Sequence, residues 1–272
     1  LKYLAEMSNM VNERKKIMQY MGIEYLRAKL AQKSIGVSRR YDYYEMKWLK
    51  NDPSPLIPAT MKESYKSILG WCAKSVDSLA DRLMFDGFDP DTDVFNMNEI
   101  FDLNNKDILF DSAILGALIS SCDFIYISQD ENGFPRLQVI DGRNATGIID
   151  PITNMLMEGY AVLERDARDQ VITEAYFTPG QTDIITKGNH KVTTETYTNA
   201  APYALLVPII YRPDAKRLFG HSRISRACMD LMDKARNTIT RAEVAAEFYA
   251  FPQKYVIGLS QDAEPSDSWK DS

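Results

Sequence analysis

Histidine is nearly absent from this chain: 272 residues contain two, His190 and His221. Cysteine is scarce as well, and Cys72, Cys122 and Cys228 are far apart and odd in number. Such spacing implies neither a disulfide framework nor a CxxC motif. It fits synthesis in a reducing, intracellular compartment. No apolar run approaches the roughly 20 residues needed to span a bilayer, so no membrane partner is expected. A Gly-rich phosphate loop and an HExxH pattern are also missing. Gly220-His221-Ser222 is not followed by the second glycine of a nucleophile elbow, because Ile224 stands there. His190 lies beside Gly188 and Asn189 with no second ligand at metal spacing, and reads as a solvated turn residue. His221 reads as a helix-end residue. Asp86, Asp89, Asp91 and Asp93 form a carboxylate cluster, but the EF-hand glycine and terminal Glu are absent, so a polar turn is expected. No catalytic residue, no cofactor site and no metal site emerges, and an enzyme is not expected.

What is present is an ordinary globular composition. Apolar residues make up 45% of the chain and charged residues 26%, enough for a sizeable core in one large or two modest domains. The formal net charge of −6 argues against a basic nucleic-acid binder. The charge is uneven. Residues 1–50 hold 11 Lys and Arg against 5 Asp and Glu, a net of +6. Residues 51–200 hold 11 against 24, a net of −13, and residues 201–250 hold 8 against 5, a net of +3. The chain opens on Leu1 and closes on the polar "SDSWKDS", so it is expected to be part of a longer polypeptide.

Along the chain, helical patterns come first. Residues 1–33 read as helix, 38–52 as a second helix capped by Ser38, and 61–88 as a third. Two helical pieces are expected within 97–121. "SRRYDYYEMKW" mixes basic and aromatic side chains that could stack on single-stranded nucleic acid, but reads better as a packed face and a wet face of one helix. Strand patterns follow. One hairpin turns at Asp130–Gly133 and a second at Asp150-Pro151; further strands are bounded by Pro179-Gly180 and Gly188-Asn189, and 205–214 supplies a last strand. Helices, then an antiparallel meander, then one long helix make an α+β pattern rather than βαβ.

That last helix is the most specific feature. Ser222 is a candidate N-cap, and Pro252 stops the helix because it lacks an N–H and disfavours helical geometry at Phe251. From Ser222 to Ala250 it would run roughly 43 Å, against a mean of about 11–12 residues for globular helices. Ile224, Cys228, Leu231, Ala235, Thr238, Ala242, Ala245 and Tyr249 recur at steps of four and three, one seam of mostly small residues. Arg223, Arg226, Asp230, Asp233, Lys234, Asn237, Arg241 and Glu247 lie on the other side.

Several segments together resemble the portal proteins of tailed bacteriophages. Gly220, Ser222, Ile224, Leu231, Asp233, Glu247, Ala250, Pro252 and Gly258 match the family's pattern where the wing meets the first stem helix. "SVDSLADRLMFDGF" looks like the segment ending in Asp-Arg-Leu-x-x-x-Gly-Phe. "AILGALISSCDFIYISQDENGFPRLQVID" looks like the family's helix, strand and hairpin, and "LLVPIIYRPD" like the strand before the Gly-x-Ser motif. The likeness covers about residues 40–260. Tyr43-Tyr44 departs from it, since the glycine that often follows closely is replaced by "EMKW".

The resemblance implies a portal-like α+β fold. Its parts would be an N-terminal helical segment (1–50), an α+β wing (51–219), a first stem helix (220–251) and the start of a clip (252–272) that includes Pro252, Lys254 and Tyr255. It implies a homo-oligomeric ring, usually a dodecamer, at one vertex of a virion capsid, assembled in the bacterial host cytoplasm. Double-stranded DNA would pass through without sequence-specific binding. Partners would be the major capsid and scaffolding proteins, the terminase large subunit and a head-completion or adaptor protein. The seam residues would form the subunit interface, and Arg223, Arg226, Lys234, Arg236 and Arg241 are candidates to face the channel. The alternative is another structural or adaptor protein of a phage particle that binds a partner through the long helix.

Overall fold

The structure, a computed structural model, describes residues 20–47, 68–89, 91, 93, 95–188 and 191–250. Five helices are described: α1 (Ile23–Tyr44), α2 (Trp71–Ala80), α3 (Met97–Leu103), α4 (Lys106–Ser120) and α5 (Arg226–Ala250). The strands are β1 (Cys122–Gln129), β2 (Pro135–Ile140), β3 (Ala145–Ile149), β4 (Leu156–Arg165), β5 (Val171–Thr178), β6 (Gln181–Lys187), β7 (Val192–Thr198) and β8 (Leu206–Ile210). The expected α+β class is what is found. The chain divides into two units, residues 1–49 with 70–232, and residues 50–69 with 233–272. In the second unit the described part is residues 68–69 and the stretch of α5 from Asp233 to Ala250.

All the described strands belong to the first unit and pair antiparallel in two sheets, ordered β2-β1-β8 and β3-β4-β5-β6-β7. The single meander expected from the sequence is split: β2 does not pair with β3, and β8 returns to pair with β1 (Tyr126 opposite Leu206) instead of extending the run. Side chains that alternate along a strand explain how the larger sheet is covered on both sides. Ala161, Ala175 and Phe177 face a core shared with Phe124, Tyr126 and Leu206 of the smaller sheet. Their neighbours Tyr160, Val162 and Tyr176 point the other way, onto Leu26 and Leu30 of α1.

Both hairpin turns lie where the sequence put them. Asp130 Oδ1 accepts from the amides of Asn132 (3.0 Å) and Phe134 (2.9 Å). Asp150 Oδ1 accepts from Ile152 N at 3.0 Å, and its carbonyl accepts from Asn154 N at 2.8 Å. These are Asx-type turns, fixed by chemistry within five residues.

The helices differ more from expectation. α1 runs unbroken through Ser38, so the break expected near residues 34–38 does not occur. Its two ends are each packed: Leu26 and Leu30 on the five-stranded sheet, Tyr43 buried at the other end, where Tyr44 Oη donates to Asp77 of α2 at 2.9 Å. Tertiary contacts at both ends thus override the local Ser38 signal. Residues 20–47 belong to the same unit as the strands. α2 is shorter than the helix expected over 61–88; among the described residues, 68–70 and 81–88 are not helical. The cause is an aromatic cluster. Phe85 stacks on Phe110 (4.0 Å between centroids) and both Phe85 and Phe88 pack on Phe101 at 5.5 Å, which draws the chain out of the helix after Ala80. The expected helix over 1–19, the segment 61–67, the turn at Asn189 and His190, and the clip residues Pro252, Lys254 and Tyr255 lie outside the described residues.

Candidate functional site: the root of the long helix

α4 ends at Ser120, and its last four carbonyls have no partners inside the helix. Each finds one elsewhere in the first unit. Ala117 O accepts from Ser121 N at 3.0 Å, and Leu118 O from Arg223 N at 2.9 Å. Ile119 O accepts from Ser222 Oγ at 2.6 Å, and Ser120 O from an Arg40 guanidinium N–H at 2.5 Å. So residues 222–223 act as a cap for a helix a hundred positions earlier, and α1 completes it.

Gly220 brings the chain to this place. Its φ is 70°, and a Cβ there would stand 2.1 Å from the Tyr211 carbonyl. The His221 amide donates to that same carbonyl at 2.9 Å, while Tyr211 N donates to Ser121 O at 3.0 Å. Only glycine permits both the left-handed backbone and the close approach. Ile224, 1% exposed, then fills the core behind the turn, and its amide donates to Ser222 Oγ at 3.0 Å. The Gly-x-Ser-x-Ile spacing thus has a structural reason at each position: close approach, carbonyl cap, buried plug.

The cap expected at Ser222 is a correction. Its hydroxyl is committed to α4, and α5 begins at Arg226 rather than at 222. Ser225 takes the role instead, its Oγ accepting from Cys228 N at 3.2 Å. His221 belongs to the preceding turn: its Nε2 donates to Asp214 Oδ2 at 2.5 Å, and this hydrogen bond, with backbone amides of Arg217 and Lys216, holds the Asp214 carboxyl below its usual range.

Along α5 the buried face departs from the expected seam after Cys228. Met232 is 7% exposed, whereas Leu231, expected at mid-seam, is 60% exposed. One residue is about 100° of rotation on a helix, and the entry set by Ser225 turns Met232 inward. Of the other seam residues, Cys228 and Ala235 are half-buried, and Thr238, Ala242, Ala245 and Tyr249 are exposed. The basic candidates also separate. Arg223 is tied within the unit, its Nε donating to Ser75 O at 2.6 Å and a terminal N–H to Tyr211 Oη at 3.4 Å. Arg226, Lys234 and Arg241 are exposed, and Arg236 is half-buried.

The segment ending at Gly87-Phe88 is built the same way. Gly87 has φ 97°, and the Phe88 amide and carbonyl bond the Asn98 side chain, both at 2.8 Å. Of the carboxylate cluster, Asp93 accepts from the amides of Met97 (2.7 Å) and Asn98 (2.9 Å) and so caps α3, while Asp89 accepts from Asp91 N at 3.1 Å. Among the described residues no group of three His, Cys, Asp or Glu is placed to hold a metal ion, and no helix is long and apolar enough to cross a membrane.

Sequence reasoning missed three buried carboxylates that organise the first unit. Glu158 accepts from the amides of Met21 (2.7 Å) and Gly22 (3.1 Å) and from Tyr176 Oη (2.7 Å), placing an anion at the N-terminus of α1. Glu174 accepts from Arg27, Tyr160 Oη (2.6 Å) and Lys187 (2.9 Å). Asp123 accepts from Ser120 Oγ and Gly142 N, both at 2.9 Å, with Gly116 backbone against its other oxygen. The only signal was an acidic residue in an alternating apolar strand. No protein-family model matches the chain, and no curated protein matches it.

Proposed function

We propose that this chain is a subunit of a portal-type ring, a conduit for double-stranded DNA at one vertex of a phage capsid. The observation that carries the reading is the root of α5: the Gly220–Ser222–Ile224 clamp on α4, followed by a 25-residue helix with a seam of small and apolar residues left exposed. A lone chain gains nothing by exposing Leu231 beside Ala242 and Ala245. Copies arranged around an axis would cover that face, and small side chains let neighbouring helices approach closely. The negative net charge supports the same role, since a conduit that neutralised many phosphates would hold DNA rather than pass it. The proposed partners are further copies of the chain, capsid and scaffolding proteins, the terminase and a head-completion protein. The work is mechanical, and no catalytic residue is assigned.

Electron microscopy of the full-length protein tests the reading directly. Closed rings with a central hole are expected. A monodisperse monomer or dimer at every concentration and salt would favour the alternative, a particle protein that binds one partner along α5.

A further inference from the structure

Two of the three cysteines come together in the first unit, although 156 positions separate them: Cys72 Sγ and Cys228 Sγ are 3.3 Å apart. The surrounding bonds hold them there. Cys72 lies in the first turn of α2, fully buried, and its carbonyl accepts from Ser75 Oγ at 2.8 Å. Cys228 lies in the first turn of α5, half-buried, its amide capped by Ser225. Arg223 joins the two turns through its bond to Ser75 O at 2.6 Å. Cys122 is elsewhere in the core, its Sγ against Asp123 O at 3.4 Å, and burial pushes its thiol up. We propose that Cys72 and Cys228 form a redox clip, a dithiol that small disulfides convert to an intramolecular disulfide fastening the first turn of α5 to α2.

The step is ordinary thiol–disulfide exchange. The Cys228 thiolate, the more accessible of the two, attacks one sulfur of oxidised glutathione. A Cys228–glutathione bond forms and one glutathione thiolate leaves. The Cys72 thiolate then attacks Cys228 Sγ, the mixed disulfide breaks and the second glutathione leaves. Two electrons pass from the cysteines to glutathione, and the two protons lost by the thiols are taken up by the leaving thiolates. Closing from 3.3 Å to a bond of about 2.05 Å needs a shift of about 1.3 Å, within reach of side-chain rotation and small backbone adjustment. In a reducing cytoplasm the pair stays as thiols; in an oxidising medium it closes. The clip does not depend on the portal reading, because both sulfurs lie in the first unit.

The test is incubation of the purified full-length protein with oxidised glutathione, followed by non-reducing peptide mapping and thermal melting. The expected result is a Cys72–Cys228 crosslink within one chain, loss of two of three reactive thiols after denaturation, and a rise in melting temperature on the order of 5–10 °C that dithiothreitol reverses. Cys122→Ala, which keeps only the proposed pair, should still lose both thiols. Cys228→Ser, at the half-buried partner, should lose the crosslink and the shift. Three thiols surviving the oxidant, a crosslink through Cys122 or between chains, or a crosslink that leaves the melting temperature unchanged would overturn the proposal.

Discussion

Ser222 Oγ makes two hydrogen bonds that no backbone group replaces, to Ile119 O at 2.6 Å and from Ile224 N at 3.0 Å. Ser222→Ala should therefore cost about 1–3 kcal/mol, read as a lower urea midpoint with an unchanged slope. Asp123 makes a second prediction at this scale. Burial pushes its carboxyl up to about 7, although hydrogen bonds from Gly142 N and Ser120 Oγ favour the charged form. An unfolded Asp titrates near pH 3.9. Between about pH 4 and pH 7 the folded protein keeps a proton that the unfolded chain has released, so this group's contribution to stability is lost as pH rises across that window. The loss reaches up to about 4 kcal/mol and levels off above pH 7. Asp123→Asn should remove this component, and urea titrations of both proteins from about pH 4 to pH 8 should show the two stability profiles diverging.

Elements are held to one another by a few such groups. α1 docks on the five-stranded sheet through Leu26 and Leu30 and through Arg27, which bonds Glu174. Burial alone would raise the Glu174 carboxyl, but hydrogen bonds from Arg27, Tyr160 and Lys187 outweigh it and hold the group below its ordinary range. Arg27→Ala should cost about 2–3 kcal/mol at neutral pH by leaving a buried carboxylate short of a partner. The depressed Glu174 carboxyl contributes stability that is lost as pH falls through its lowered folded pKa, so the cost of Arg27→Ala should shrink in acid as Glu174 protonates, and acid titration of both proteins checks it. α5 carries a contrast between adjacent residues. Met232→Asp puts a carboxylate at a buried position and should destabilise the chain by several kcal/mol. Leu231→Asp alters an exposed position and should change the melting point of the unassembled chain little. If copies cover that face, the same substitution should abolish rings or make them irregular. Normal rings from Leu231→Asp would remove the seam from the interface.

The whole-molecule prediction concerns what passes through a ring rather than what holds it. Arg241 is exposed on α5, one turn from Asn237. Arg241→Ala leaves no buried charge and should permit rings and procapsids of normal appearance. If the residue lines a channel, the defect comes later, as altered packaging or retention of DNA, measured as DNA per particle. Unchanged DNA content would place Arg241 away from the lumen and leave assembly as the test of the ring.

The chain's sequence by itself determined what depends on neighbours along the backbone. The turns at Asp130–Gly133 and Asp150-Pro151, the helix–strand order and the α+β class follow from side chains that bond their own backbone and from alternation along strands. The tertiary structure decided what depends on distant partners. Glu158 meets the start of α1 across 137 positions, and Glu174 meets Arg27 across 147. Ser222 finds α4 instead of capping its own helix, α1 runs through Ser38, and β8 leaves the meander to pair with β1. None of these choices carries a local signature. Each is the arrangement in which buried carbonyls and carboxylates find donors, and a donor is identified only once the chain has brought it there.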